Sequence, residues 1–383
     1  MSGLPLFLRL AWLAFTTNKG RLIPLTFKRF LLQCLFVPAL LLGWLLHSLA
    51  FVLDDIFFRG YRKIEVKEPV FVVGIARSGT TFLHRLLTED TEHFTTFTYW
   101  ELVLAPSIIE RKLVFALARV DRACGGLGRK LLVNFDRWLL DGFRKMHHLS
   151  LFEPEEDEWL LIHKFSSAFL LFPFPFMDRV RHLLYFDEEM PPAARKRIMA
   201  YYKRCVQRHL YVHGRGKRLL SKNPSFSAKI DSVNEEFPDS KIVCCVRNPY
   251  EAVPSFGSLL WFIWGQTPGQ STATSEMRET LVEAVDHFYR HPMRRLPLRP
   301  EDRQAFVTYD QLIASPREVV TGLYARLQID MTAAFAERLA TEQEKARSYR
   351  SGHAYAPEHY GLTRRSILEA YEDIFEHYGF SKD

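Results

Sequence analysis

The sequence predicts an α/β protein: a P-loop-like parallel β-sheet flanked by helices, with a mostly helical insertion and an apolar helical amino-terminal segment. From Pro69 onward, short apolar runs alternate with stretches of helical character, a pattern typical of a parallel sheet with helices on both faces. A glycine-containing loop, Gly74 to Gly79, directly follows one of the apolar runs. The composition, 48% hydrophobic and 25% charged residues, excludes a disordered, collagen-like or disulfide-scaffold chain.

Four apolar runs are predicted as strands, and each precedes a stretch of helical character. They are Val70–Gly74, Arg218–Ser221, Lys241–Val246 and Ala305–Tyr309. Two of the following helices have clear start signals, Asn248-Pro249 and Ser315-Pro316, each with a Glu three residues after the capping residue. The chain thus divides into an amino-terminal segment, residues 1–68, and a main domain, residues 69–383. Within the main domain, residues 110–215 are predicted to form a helical insertion that shapes a cleft.

The amino-terminal segment contains a run of 23 residues, 31–53, without Asp, Glu, Lys or Arg. That length can cross a hydrocarbon layer of about 30 Å. Three interpretations stay open: one membrane span, a pair of interfacial helices that bend at Pro38, and a soluble helical cap on the core. We expect membrane association with the main domain on the cytoplasmic side; a single pass would place that domain across the membrane, because the flank before the run is positively charged.

The charge balance, 51 Lys and Arg against 44 Asp and Glu, gives a net charge of +7. A mild positive excess suits anionic small molecules or acidic lipids. No basic block or nucleic-acid motif is present, so no nucleic-acid partner is expected. The five cysteines have no C-x-x-C spacing, so neither a zinc site nor a disulfide framework is predicted.

The loop Gly74-x4-Gly79 has the spacing of a phosphate loop, in which backbone N–H groups and a helix amino terminus bind an anion. Side chains in and after it add a positive charge and hydroxyl donors: Arg77, Ser78, Thr80 and Thr81. A nucleoside-triphosphatase loop has Lys where this chain has Thr80, and that Lys is a main partner of the β- and γ-phosphates. The loop is therefore predicted to hold one 5′-phosphate with one further anionic group.

The string ARSGTTFLHRLL, residues 76–87, resembles the 5′-phosphosulfate loop of sulfotransferases that use 3′-phosphoadenosine 5′-phosphosulfate (PAPS). The resemblance implies PAPS as the cofactor. It also assigns contacts with PAPS to the loop residues Arg77, Ser78, Gly79, Thr80 and Thr81. Further segments of the chain resemble the bacterial-type group of this family, which also includes the tyrosylprotein sulfotransferases, and together they cover roughly residues 69–380.

Two of these segments supply further candidate residues. Arg247, at a predicted strand end, and Ser255, eight residues later, resemble the family's 3′-phosphate motif. Tyr309, in FVTYDQL, resembles the family's adenine-contacting Tyr, although an ordinary core Tyr fits the same pattern. Lys222, in SKNP, matches a Lys that this branch of the family places near the transferring group.

The segments TYWELVLAPS and EPEEDEWLL also resemble this group, and Glu101, twenty residues after Thr81, matches the family's catalytic base. His148 and His147 are second choices. We expect burial beside aromatic residues to raise the pKa of Glu101 towards neutrality, where a general base works best. An alternative is that Glu101 caps the helix that begins there. The acidic run at residues 153–158 is either a solvated helix start or a partner of cations near the cofactor.

The sequence therefore predicts a sulfotransferase that moves a sulfuryl group in line from PAPS to an acceptor hydroxyl. Arg77 and Lys222 would stabilise charge, Glu101 would act as the base, and no metal is expected. Aromatic stretches at residues 165–176 and 261–264 suit an apolar or lipid-like acceptor, but core packing explains them equally well. The alternatives are a P-loop-type nucleotide kinase and an inactive, membrane-anchored binding protein. Acceptor identity and oligomeric state stay open.

Overall fold

The sheet contains five parallel strands in the order β2-β3-β1-β4-β5. The computed structural model describes residues 3–144, 149–214, 216–265, 274–347 and 356–382. The strands are β1 (Val70–Gly74), β2 (Phe94–Thr95), β3 (Arg218–Lys222), β4 (Lys241–Val246) and β5 (Gln304–Thr308). The predicted parallel α/β fold is confirmed. Only β2, which is two residues long and has no apolar run of its own, was missed.

The central strand β1 is buried on both faces, as the sequence of an inner parallel strand requires. Its side chains alternate between two apolar clusters on opposite sides of the sheet. Phe71 and Val73 belong to the larger cluster, and Val70 and Val72 belong to the smaller one. Because β1 lies between β3 and β4 and runs parallel to both, the loop that follows Gly74 lies at the carboxyl edge of the sheet, between the ends of those two strands.

Helices cover the sheet and fill the long connection between β2 and β3. Those that precede β3 are α1 (Leu4–Thr16), α2 (Phe27–Phe57), α3 (Thr80–Thr88), α4 (Tyr99–Val103), α5 (Ile108–Ala123), α6 (Leu127–Arg144), α7 (Trp159–Ile162), α8 (Met177–Leu184), α9 (Phe186–Glu189) and α10 (Pro192–His213). Those that follow β3 are α11 (Ile230–Glu236), α12 (Pro249–Ile263), α13 (Ser275–Arg295), α14 (Tyr309–Ala314), α15 (Pro316–Arg326), α16 (Ala333–Arg347) and α17 (Arg364–Tyr378).

The two helix starts predicted from Pro and a preceding polar residue are confirmed. Helix α12 begins at Pro249, and the Asn248 side chain accepts a 2.9 Å hydrogen bond from the Tyr250 N–H. Helix α15 begins at Pro316. Only two residues separate β4 from α12, so the helix begins at the carboxyl edge of the sheet and Ser255, in its second turn, stays close to that edge.

The amino-terminal segment packs against the main domain. Helix α1 buries Leu6, Phe7 and Leu10, and the Phe7 ring stacks on Phe165 with centroids 4.1 Å apart. Helix α2 is one continuous helix of 31 residues that includes Pro38. Among the described residues, α2 alone is long and apolar enough to cross a membrane.

Candidate active site

The loop after β1 depends on two glycines with positive φ. At Gly74 (φ +129°), a Cβ would lie 2.1 Å from the Cys245 carbonyl oxygen, so β1 and β4 can approach this closely only with glycine here. At Gly79 (φ +89°), a Cβ would lie 3.1 Å from the Tyr309 ring. Helix α3 begins immediately after Gly79, so its free N–H groups lie at the carboxyl edge of the sheet.

Two loop side chains interact with the neighbouring elements. The buried Ser78 hydroxyl lies 2.7 Å from the Ile75 carbonyl oxygen and 3.0 Å from that of Cys245, so it donates within the protein and fixes the loop to β4. Arg77 has a positive φ of 74°, and its Nε donates to Ser255 Oγ at 3.2 Å. Ser255, which the sequence paired with Arg247, is thus in direct contact with the loop arginine Arg77.

Arg247 lies directly after β4, beside the loop. Its Nη1 donates to the Arg77 carbonyl oxygen at 3.1 Å, and its guanidinium carbon lies 4.1 Å from the centroid of the Tyr309 ring. Its Nε donates to the Glu251 carboxylate at 2.7 Å. The structure therefore brings together five residues that the sequence predicted as one nucleotide site: Arg77, Gly79, Arg247, Ser255 and Tyr309.

Lys222, the last residue of β3, approaches the same loop from the other side. Its Nζ lies 2.8 Å from Glu155 Oε1, 3.5 Å from Glu156 Oε1 and 3.5 Å from Thr81 Oγ1. Burial lowers the pKa of Lys222, but the two carboxylates raise it more, so the ammonium stays charged. The sequence left open whether the acidic run is solvated or paired, and it did not single out Glu155, which is buried against this Lys.

Glu101 is buried, and both of its carboxylate oxygens have partners. Oε2 accepts hydrogen bonds from the Thr98 N–H at 3.0 Å and the Thr98 hydroxyl at 2.9 Å, which forms a capping box for α4. Oε1 lies 2.5 Å from His213 Nε2 and 3.2 Å from Arg111 Nε. The helix-capping alternative is therefore part of its role in the structure.

The expected direction of the Glu101 pKa was wrong. Burial does raise the pKa, but the charge of Arg111 and the hydrogen bond from His213 outweigh burial and hold it well below its usual range. Neither partner was visible in the sequence, because Arg111 comes from α5 and His213 from the end of α10. The second-choice bases, His147 and His148, lie outside the described residues.

Groups of potential metal ligands occur in the described ranges, but a guanidinium accompanies each of them. Ligand-type atoms of Glu101, His209 and His213 lie within 4.8 Å of one another, as do those of Glu188, His287 and His291, and those of Asp187, Asp231 and His291. In the first group the Arg111 guanidinium lies 3.2 Å from Glu101, and in the second the Arg294 guanidinium lies 3.2 Å from Glu188. In the third group the Arg195 guanidinium lies 3.4 Å from Asp187. A guanidinium there supplies the positive charge that a divalent ion would bring.

These contacts place three basic side chains, those of Arg77, Arg247 and Lys222, around the amino terminus of α3, at the carboxyl ends of four adjacent parallel strands. Ligands of open α/β sheets bind at this edge. Residues 69–333 match the sequence model of the Sulfotransferase family, and the chain belongs to that family. The predicted resemblance to the bacterial-type group is confirmed.

Curated relatives and solved structures that resemble this chain are also sulfotransferases. It is 28% identical over 324 residues to the omega-hydroxy-beta-dihydromenaquinone-9 sulfotransferase Stf3 of Mycobacterium bovis and of Mycobacterium tuberculosis; the match covers 82% of this chain and 76% of each relative. Its fold is similar to that of sulfotransferase STF9 from Mycobacterium avium, with a TM-score of 0.76, 19% identity and coverage of 98% and 91% of the two chains. Sulfotransferase STF1 from Mycobacterium tuberculosis gives a TM-score of 0.69, 20% identity and coverage of 96% and 91%.

Proposed function

We propose that this protein transfers a sulfuryl group from PAPS to the hydroxyl of a hydrophobic, lipid-like acceptor. One observation supports PAPS as the sulfuryl donor more than any other. The Arg247 guanidinium donates a hydrogen bond to the Arg77 carbonyl oxygen, and the Arg77 side chain donates a hydrogen bond to Ser255. The loop would bind a 5′-phosphate and the strand-end arginine a 3′-phosphate. Because the two are in contact, one nucleotide with phosphate groups at both positions could reach them. The loop without a Lys after Gly79 suits such a donor better than a magnesium-bound triphosphate.

The residues present fit PAPS through charge and hydrogen-bond donors. The N–H groups at the start of α3, with Thr80 and Thr81, would bind the 5′-phosphate. Arg247 and Ser255 would bind the 3′-phosphate, because an arginine fork beside a hydroxyl suits a dianion. Tyr309, whose ring already stacks with Arg247, would contact the adenine. When bound, PAPS supplies the electrophilic sulfuryl group.

The chain's own groups would orient the reactants and stabilise charge, which dominates transfers of this kind. Lys222 is buried and charged next to Thr81, so it would stabilise negative charge near the transferring group. Glu155 would hold the Lys222 ammonium in place through their 2.8 Å ion pair. Glu101 is our candidate for the base that takes the acceptor proton. Its lowered pKa keeps it ionised at neutral pH but makes it a weak base.

A lipid-like acceptor is supported by two independent findings. The name of the relative Stf3 describes the sulfation of an omega-hydroxylated dihydromenaquinone, a hydrophobic alcohol. In addition, this chain carries an apolar amino-terminal helix with most of its surface exposed. We propose that the enzyme is membrane-associated through its amino-terminal segment, with the catalytic domain on the cytoplasmic side, where nucleotide donors are made.

Incubation of the purified full chain with radiolabelled PAPS and fractionated lipid and small-molecule extracts tests this proposal. We expect the label to move into a hydrophobic fraction with wild-type protein, and at least about tenfold more slowly with Arg247→Ala when PAPS is not saturating. Transfer of phosphate from magnesium-ATP without any use of PAPS would identify a kinase instead. Tight binding of adenosine 3′,5′-bisphosphate with no transfer to any fraction would identify an inactive binding protein.

A further inference from the structure

Helices α5 and α6 form a hairpin that carries its large apolar side chains on the outside. Six of these side chains are at least 60% exposed: Leu113, Leu117, Val120, Leu127, Leu131 and Trp138. On each helix they recur with the three-, four- and seven-residue spacing of a single face. The opposite face of the hairpin packs on the body of the protein through Ile108, Asp136 and Leu140. The usual arrangement of an amphipathic helix is therefore reversed.

Helix α2 continues this apolar surface. Only 17% of its most apolar 18-residue window is buried, and Leu31, Leu35, Leu42 and Leu49 line one exposed side. The two Asp54 carboxylate oxygens accept hydrogen bonds from the N–H groups of Ile108 and Ile109, each at 2.9 Å, so α2 is fixed to the start of α5. We call the outward side chains of α2, α5 and α6 the apolar face.

Most of the exposed large apolar side chains lie on these three helices. Among the described residues, all but six of the exposed large apolar side chains belong to α2, α5 and α6. Of those six, two lie on α1, two lie in the segments that border α4, and only Leu298 and Ile313 lie elsewhere. Such a patch far exceeds the scattered exposed leucines of an ordinary soluble protein, and it marks a binding surface.

The charges around the apolar face are positive. Residues 1–53 contain no Asp or Glu, and the hairpin exposes six cations: Lys112, Arg119, Arg122, Arg129, Lys130 and Arg137. Two acids of the hairpin are held by backbone N–H groups: Asp121 accepts from Gly128 at 2.7 Å, and Asp136 accepts from Leu151 at 2.8 Å. A cationic rim matches anionic lipid headgroups. It would repel the same rim on a second copy of the chain.

Helix α2 is bonded to the main domain along its length, which is incompatible with a free span. Polar contacts join it to distant parts of the chain: Arg29 to the Trp264 carbonyl, Gln33 to the Pro173 carbonyl, His47 to Glu110, and Asp54 to Arg208. A bilayer-crossing helix would lose these partners and leave buried polar groups facing hydrocarbon. The contacts therefore favour a helix that lies in the interface.

We propose that the apolar face inserts into one leaflet of an anionic bilayer, so that the protein is monotopic and the α5–α6 hairpin is its second membrane anchor. This inference rests on the proposed lipid-like acceptor and deepens it. Arg111 at the base of α5 lies 3.2 Å from Glu101, and the Phe115 ring lies 5.9 Å from that of Trp100. The candidate base thus lies at the root of the hairpin, where an acceptor would arrive from the lipid.

Vesicle sedimentation tests the hairpin directly. We expect wild-type protein to sediment with vesicles that contain phosphatidylglycerol and to bind pure phosphatidylcholine vesicles more weakly. The double variant Leu117→Glu, Leu131→Glu should bind the anionic vesicles at least about tenfold more weakly, because two buried charges oppose insertion. Leu298→Glu, at a side chain that is 75% exposed and remote from the hairpin, is the matched control and should bind like wild type. Equal binding by the double variant would overturn the proposal.

Native cysteines provide a second measurement. Cys34 and Cys124 are exposed and the other three cysteines are buried, so Cys34→Ser leaves Cys124, at the end of α5, as the accessible thiol. An environment-sensitive fluorophore on Cys124 should shift to shorter wavelength with phosphatidylglycerol vesicles and be quenched by brominated lipid. An unchanged spectrum would refute insertion of the hairpin.

Two further outcomes separate this inference from its rivals. A wild-type dimer that the double variant converts to a monomer, with no vesicle binding by either protein, would assign the face to a second copy of the chain. The vesicle assays contain neither donor nor acceptor. If the wild-type protein bound no anionic vesicles but still bound adenosine 3′,5′-bisphosphate, only the membrane face would be overturned. If it bound vesicles but transferred no sulfuryl group, only the proposed activity would be overturned.

Discussion

Arg247 is the residue that links the loop to the rest of the proposed nucleotide site. Its guanidinium contacts the Arg77 carbonyl oxygen, the Tyr309 ring and Glu251, so it is already oriented before any ligand binds. A side chain that is already oriented loses less conformational entropy when the ligand binds. We therefore expect this arginine to contribute more to donor affinity than a surface arginine does.

Arg247→Ala should weaken binding of adenosine 3′,5′-bisphosphate by about 10- to 100-fold, because a charge-assisted hydrogen bond to phosphate is lost. Isothermal titration calorimetry measures the dissociation constant. Arg365→Ala is a suitable control, since the Arg365 side chain is 88% exposed and pairs with Glu369 on its own helix. An unchanged dissociation constant for Arg247→Ala would remove this residue from the site.

Glu101→Ala should keep the affinity for adenosine 3′,5′-bisphosphate and lower kcat by about 100-fold, the low end of the range for general base catalysis. We choose the low end because Arg111 and His213 hold the pKa of this carboxyl down and so reduce its basicity. Steady-state kinetics with saturating donor give kcat.

Glu110→Ala is the matched control for Glu101→Ala. Glu110 occupies the same capping-box position in α5 that Glu101 occupies in α4, and it also contacts a histidine, His47, at 2.7 Å. Loss of the cap should lower the free energy of unfolding by about 1 kcal/mol in either variant. Glu101→Ala should lower it by more, because it also leaves the buried Arg111 guanidinium without its carboxylate partner. If turnover fell equally in both variants, the role of Glu101 would be structural rather than catalytic.

Glu155→Gln should shift the alkaline limit of activity to lower pH. Burial lowers the pKa of Lys222, and of the two carboxylates that raise it, Glu155 raises it more. Removing the charge of Glu155 should therefore lower the pKa of Lys222. Lys222 would then lose its proton, and with it the charge that stabilises the transfer, at a lower pH than in wild type. The pH dependence of kcat reports this change.

The control for this change is Glu156→Gln, because Glu156 lies farther from the Lys222 ammonium, 3.5 Å against 2.8 Å for Glu155. Its pH profile should move less. Superimposable profiles for Glu155→Gln and wild type would show that Glu155 does not position or charge Lys222 during turnover.

At the scale of elements, the β1–loop–α3 unit depends on the close approach of two strands. Gly74→Ala should lower the free energy of unfolding by more than about 3 kcal/mol, because the new Cβ would meet the Cys245 carbonyl oxygen at 2.1 Å in a backbone conformation with φ +129°. Chemical denaturation followed by circular dichroism measures the loss.

Gly322→Ala is the control, because it is expected to stabilise the protein rather than destabilise it. Gly322 lies inside α15 with no atom within 4 Å of a new Cβ, so alanine should stabilise the protein by up to about 1 kcal/mol through its higher helix propensity. If Gly74→Ala were as stable as Gly322→Ala, the packing of β1 against β4 would be less tight than the structure indicates.

At the scale of the whole molecule, donor binding should stabilise the fold without a metal. A ligand at 100 times its dissociation constant adds about 2.7 kcal/mol to the free energy of unfolding. Adenosine 3′,5′-bisphosphate should therefore raise the thermal midpoint by several degrees, equally with and without EDTA. Differential scanning fluorimetry measures the shift. A shift that requires magnesium, or that ATP produces instead, would contradict a metal-free adenylyl sulfate site.

Local patterns in the sequence predicted the framework of the site. Strand β1, the glycines of the loop and the strand-end position of Arg247 follow from apolar runs and turn residues only a few positions apart. Strand β2 could not be predicted in this way, because its two residues pair with β3, more than a hundred positions later. The outward apolar face was also hidden, since its spacing is that of an ordinary buried helix face and only packing reveals which side faces the core.

The sequence by itself determined the parallel sheet, the anion-binding loop and the resemblance to sulfotransferases, because these depend on residue order over short stretches. The tertiary structure alone decided the charge state and partners of the candidate catalytic groups. Glu101 meets Arg111 and His213, and Lys222 meets Glu155, only after helices from the long β2–β3 connection fold back onto the sheet edge. Burial and opposite charge act through space, so their balance at each carboxylate could not be predicted from the order of residues.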